Sequence, residues 1–132
     1  MLPLLIKAGK VAIASNINDD KKNFLLGCIG IRAQDGVMVS AKNGAVITSS
    51  YNSYKIIGDA HAEMRVLKKM GRGGILYTTR ILKNGTFAMA RACAGCRQRI
   101  KMAEVDRVYY TIDQNHYGVW LVKYDIDKIY DC

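Results

Sequence analysis

The sequence predicts a layered α/β domain built around a mixed sheet. Three observations carry this expectation. Helical and strand-like stretches interleave along the chain, and two tight turns fold neighbouring strands back as hairpins. A length of 132 residues, half of them apolar, suffices for one buried core without disulfide staples. No Pro-rich, Ser-rich or repeated segment marks a linker, so residues 1–132 are expected to form a single domain.

Residues 3–16 have the pattern of an amphipathic helix: apolar Met1-Leu2-Pro3-Leu4-Leu5-Ile6 gives way to Lys7 and Lys10. Those lysines fall long before the ~20 apolar residues that a membrane span needs. No cationic segment precedes the apolar run, so Ala12-Ile13-Ala14 is not read as an export cleavage site. A cytoplasmic, reducing compartment is therefore expected for the four cysteines, with no membrane partner. Asn16 to Asn23 is a polar turn region. Phe24 to Ala33 and Val37 to Ala41 read as strands joined at Gln34-Asp35-Gly36, and Lys42-Asn43-Gly44 closes the second.

Ser49 to Asp59 is polar and irregular, hence a surface loop. Residues 60–70 then carry Met64, Leu67 and Met70 at helical spacing, with Val66 beside the stripe. Gly71-Arg72-Gly73-Gly74 stops that helix. It is not a phosphate loop, because it follows a helix and precedes a strand. Gly74 to Leu82 is a strand that turns at Lys83-Asn84-Gly85 into Thr86 to Ala90. Cys93 to Ala103 is a helix, Arg107 to Ile112 a strand, and Val119 to Tyr124 a last strand.

Charge is unevenly placed. The chain has 20 Lys and Arg against 11 Asp and Glu. Residues 61–101 carry ten bases and only Glu63 as an acid, whereas residues 104–132 carry three bases and six acids. The basic middle suits phosphate-bearing partners, nucleotides or nucleic acid, or else forms solvated helix faces.

Two short clusters carry the chemistry. His61-Ala62-Glu63 opens one helix and Cys93-Ala94-Gly95-Cys96 opens the next. One imidazole and two thiolates are a donor set that suits Zn²⁺. Cys93 and Cys96, three apart on a helix, share a face. A helix N-terminus favours the thiolate. Three protein ligands leave a fourth tetrahedral position for water, as in a catalytic zinc site. Glu63 lies about 200° around an ideal helix from His61, so both address one point only at the helix start. A carboxylate beside, but not on, the metal can move protons, which hydrolysis of an amidine-like C–NH₂ bond requires.

At these residues the chain resembles the zinc-dependent cytidine deaminase superfamily, whose signature is His-x-Glu followed by Pro-Cys-x-x-Cys. The likeness runs over about residues 24–124 and is nearest to the small phage and bacterial deoxycytidylate-deaminase-like branch. It implies a three-layer α/β/α fold with a central five-stranded mixed sheet. It further implies that His61, Cys93 and Cys96 hold Zn²⁺, that Glu63 shuttles the proton, that the Ala62 N–H contacts the base, and that Asn43 bonds the sugar. The chain departs from the pattern at Ala92, which stands where the family usually has Pro. The Lys83-Asn84-Gly85 turn is a second departure, and it sets Arg80 and Arg91 near the site mouth as candidate phosphate contacts.

The expected activity is hydrolytic deamination of cytosine in a (deoxy)cytidine nucleoside or monophosphate, with release of ammonia. The alternative substrate is a base in single-stranded DNA or RNA, with a structural-zinc nucleic-acid module ranked third. A redox dithiol would leave His61 and Glu63 without a role. A closed structural zinc would need a fourth ligand, with His116, Cys28 and Cys132 the candidates. His116 is expected in the turn before the last strand, Cys28 in the core and Asp59 as a helix cap. Asn43 could equally be the left-handed residue of an Asn-Gly turn. Tyr51, Tyr54 and Tyr117 are placed in loops. Open sheet edges in so small a domain favour a homo-oligomer.

Overall fold

The computed structural model describes residues 1–13, 24–43 and 61–132. Its elements are α1 (Pro3–Ile13), β1 (Phe24–Ile31), β2 (Met38–Lys42), α2 (Ala62–Met70), β3 (Ile75–Leu82), β4 (Phe87–Ala88), α3 (Ala94–Met102), β5 (Arg107–Thr111), β6 (His116–Leu121), a 3₁₀ turn (Val122–Tyr124) and β7 (Ile126–Asp131). One mixed sheet runs in the order β2-β1-β3-β5-β6-β7, with β4 pairing β3 off that path. Among the described residues only β3 and β5 pair in parallel, and α3 lies in the connection between them, as a parallel pair requires.

Two glycines of β1 show how the layers stack. A Cβ on Gly27 would run into the Ala8 carbonyl and Ala12 of α1. A Cβ on Gly30 would run into Met70 and Val66 of α2. Residues three apart on a strand point to opposite faces, so α1 and α2 cover opposite sides of the sheet. The buried Thr79 hydroxyl donates to the Leu5 carbonyl at 2.6 Å and ties α1 down. The larger core lies on the other face, where Cys28, Ala62, Val66, Met70, Leu76, Cys96, Ile100, Tyr110 and Trp120 are buried together. The α/β/α layering agrees with expectation.

The sheet is wider than the five strands expected: among the described residues it has seven. The run Val119 to Tyr124 is not one last strand. β6 begins at His116, the chain turns through residues 122–124, and β7 follows. The reversal hinges on Asp125 at φ 53°, a left-handed conformation that Asp tolerates and that is hard to see without a glycine. Asp125 is fixed there by the Trp120 indole N–H, which donates to Oδ1 at 2.9 Å. His116 is consequently a strand residue rather than a turn residue. Tyr117 is likewise in β6, not a loop, and stacks on Tyr130 with ring centroids 5.4 Å apart.

The turn signals at Asp35-Gly36, Gly71–Gly74 and Asn84-Gly85 hold. Asp35 Oδ1 accepts from the Val37 N–H at 3.0 Å while Gly36 takes φ 69°. Gly71, Gly73 and Gly74 all have positive φ past the end of α2. The second hairpin turns at Gly85, but its return strand is only Phe87–Ala88. Beyond it the chain leaves β3 for β5, the Ala90 N–H donating to the Thr111 carbonyl at 2.9 Å. Residues 14–16, the 16–23 turn region, Gly44 and the 49–59 segment with Tyr51, Tyr54 and Asp59 lie outside the described residues. No helix among the described residues is long and apolar enough to cross a membrane.

Candidate metal centre

The sheet carries α2 and α3 on one face with their N-termini close together. His61 is the N-cap of α2 (φ −64°, ψ 138°) and Cys93 the N-cap of α3 (φ −66°, ψ 166°). Neither cap side chain bonds to its own helix. A Ser or Asp cap is typically worth about 1 kcal/mol, so both helices forgo a local stabilisation here. The side chains point instead at one another. His61 Nδ1 lies 3.0 Å from Cys96 Sγ and 3.8 Å from Cys93 Sγ. One donor atom from each of the three falls within 4.8 Å of the others.

Cys96 is buried, His61 half-buried and Cys93 exposed, so the cluster opens outward on the Cys93 side. Glu63, in the first turn of α2, is only 2% exposed, and its Oε2 has no hydrogen-bond partner among the described residues. Burial raises its carboxyl to about 7, partly offset by its own backbone N–H. Burial also pushes the Cys96 thiol up, with Glu63 and Cys93 adding repulsion. Cys28 is fully buried on β1, and its thiol is raised by burial, then by Glu63 and Cys96.

Burial, reinforced at the two thiols by Glu63, thus disfavours the charged form of all three groups. A divalent cation reverses this balance, because coordination deprotonates the thiols. Zn–N of about 2.1 Å and Zn–S of about 2.3 Å set N···S near ~3.6 Å around a tetrahedral ion, and the two observed separations bracket that value. The His61, Cys93 and Cys96 group fits Zn²⁺. Among the described residues no fourth His, Cys, Asp or Glu joins it.

The proposed fourth ligands lie elsewhere. His116 is held by Asp113 and Asp131, and the Cys132 thiol sits 3.8 Å from Met1 Sδ. Cys28 is a core residue, as expected. Ala62 is fully buried at the start of α2. Asn43 is not left-handed: among the described residues only Glu104 and Asp125 combine a side chain with positive φ. It extends the β1–β2 ladder instead, its N–H donating to the Leu26 carbonyl at 2.9 Å and its Oδ1 accepting from the Leu26 N–H at 3.1 Å. Arg80 lies on β3 beside β4. Arg91 is engaged by Asp127 at 2.8 Å, so its guanidinium is not simply waiting for a phosphate.

Sequence reasoning missed the residues that hold the cysteine loop. The Thr78 hydroxyl donates to the Ala90 carbonyl at 3.4 Å and the Thr111 hydroxyl to the Ala88 carbonyl at 2.7 Å. Both threonines are fully buried. In the sequence they register only as β-formers, and their contacts span 12 and 23 residues, beyond any local pattern.

Compared with known families, residues 6–112 match the cytidine and deoxycytidylate deaminase zinc-binding region. No curated protein and no solved structure matches the chain.

Proposed function

The chain belongs to the cytidine and deoxycytidylate deaminase zinc-binding family, and from that membership we propose that it deaminates cytosine in a (deoxy)cytidine nucleoside or monophosphate. Zinc-dependent deamination is the general chemistry that the family and the His61, Cys93, Cys96 donor set support. In this proposal those three residues hold the ion and Glu63 carries the proton. Bound zinc supplies an activated water at neutral pH. The observation that carries the proposal is Glu63: a buried carboxyl with an unpartnered oxygen, opening the helix that His61 caps.

Deamination adds water at the ring carbon bearing the amino group, protonates the neighbouring ring nitrogen and releases ammonia. A group serving both proton transfers works best with a pKa near the operating pH, and burial puts Glu63 at about 7. The Ala62 N–H is assigned to the base, since the first amides of a helix have no partner within it. Asn43 is assigned to the sugar; the Leu26 contact fixes its Oδ1 end.

Replacing Glu63 with Gln should leave zinc bound, by metal analysis, and abolish ammonia release from cytidine and its 5′-monophosphate. Undiminished turnover in that variant would defeat the proposal. The second reading, a base in single-stranded DNA or RNA, is favoured by the net charge of +9. It requires binding that falls steeply with salt as phosphates release counterions. A structural-zinc module ranks last, because no fourth protein ligand is found among the described residues. A cytoplasmic setting and self-association through the outer strands β2 and β7 belong to the same proposal.

A further inference from the structure

Ala92 leaves the approach to Cys93 without the proline that the family resemblance leads one to expect, so something else must fix that backbone. Arg91 lies two residues before Cys93, and Arg97 directly follows Cys96. Both point at one carboxylate. Asp127 Oδ2 accepts from Arg91 Nη2 at 2.8 Å and lies 3.8 Å from Arg97 Nη2. Asp127 Oδ1 accepts from the Tyr110 hydroxyl at 2.8 Å, and the Tyr110 residue is 3% exposed. Arg97 is held again by Asp125 at 2.9 Å, and its guanidinium lies 4.5 Å from the centroid of the buried Trp120 ring.

We propose that Asp127 is a positioning residue for the cysteine pair, clamping the chain on both sides of Cys93-Ala94-Gly95-Cys96 to the sheet. The clamp comes from β7, beyond residues 6–112 that match the family. It rests on the assignment of Cys93 and Cys96 as zinc ligands. Exposed ion pairs contribute little to stability. This one differs in that a buried phenol orients its acid and the Arg97 arm is partly shielded, the side chains of Asp127 and Arg97 being 23% and 20% exposed, while that of Arg91 is 44% exposed. Its effect is therefore expected on where the sulfurs sit more than on whether the chain folds.

The test is zinc affinity, by competition with a chromophoric chelator, together with the thiolate-to-metal absorption of the cobalt-substituted protein. Asp127→Asn and, separately, Arg91→Gln should each weaken zinc binding by about tenfold and shift that absorption, as loss of groups that orient metal ligands does. Asp127→Glu should recover part of both. Arg72→Ala, which removes the exposed pair with Glu104, should change neither. Cys93→Ser separates the two claims. If Cys93→Ser keeps full zinc affinity, the ligand assignment fails and the clamp with it. If Cys93→Ser loses zinc while Asp127→Asn and Arg91→Gln keep wild-type affinity and spectrum, the clamp alone is wrong.

Discussion

At the ring of His116 two carboxylates meet: Asp113 Oδ1 lies 2.8 Å from Nδ1 and Asp131 Oδ1 lies 3.2 Å from Nε2. The hydrogen bond to Asp113 raises the imidazole pKa above 6.5, and the charges of Asp113 and Asp131 add to it. A raised pKa means that the folded state binds the proton more tightly than the unfolded one. The associated stability is present below the unfolded value and fades as pH rises through the folded one. The residue is solvent-exposed, so the effect on stability is small, but the titration is readable. The His116 ring-proton resonance should titrate above the ordinary value, and Asp113→Asn should lower its midpoint. An unchanged midpoint would show that the Asp113 contact does not hold in solution. The same rule covers Glu63 with the same sign: burial raises its carboxyl to about 7, so the stability tied to its proton also fades as pH rises, because ionisation is what the fold resists.

Among the elements, the contact between β1 and its two covering helices decides how far the candidate centre can move. Gly27 and Gly30 let α1 and α2 press onto the strand, and α2 carries both His61 and Glu63. Gly27→Ala should destabilise the protein by at least about 1–3 kcal/mol, because the added methyl meets the Ala8 backbone rather than a side chain that can swing away. Gly95→Ala should do the reverse. Nothing lies within 4 Å of a Cβ there and the residue sits in α3, so a gain of about 0.5–1 kcal/mol is expected. Denaturant unfolding of the two variants checks both signs, and a neutral Gly27→Ala would mean that α1 does not lie against β1 as described. The two helix starts also show why a cap is worth giving up. His61 and Cys93 forgo bonds to their own helices, and their side chains are free to converge.

Across the whole molecule, the charge imbalance of the sequence is partly resolved inside the fold. The acidic end meets the basic middle where Asp125 and Asp127 bind Arg91, Arg97 and Lys101. Fewer cations are thus left for phosphate than the bare count of ten bases suggests. The same contacts join β7 to α3, so residues 1–132 should unfold as one cooperative unit. Fluorescence of Trp120, 2% exposed and the only tryptophan, should report the same transition as far-ultraviolet circular dichroism. Two separated transitions would break the molecule into independent parts. The sequence by itself determined the types of the elements as far as β5, the Asp35-Gly36 and Asn84-Gly85 turns, the glycine stop after α2, and His61, Glu63, Cys93 and Cys96 as the residues to watch. Each is written in a local pattern of a few residues, through helical periodicity, turn conformation or the donor chemistry of a short motif. Tertiary structure alone decided that His61 meets two cysteines 32 and 35 residues away, that Asn43 extends a ladder instead of turning, and that Asp127 reaches back 36 residues to Arg91. Those contacts are set by which strands pair and which face a helix covers, and packing between distant segments leaves no periodic trace along the chain.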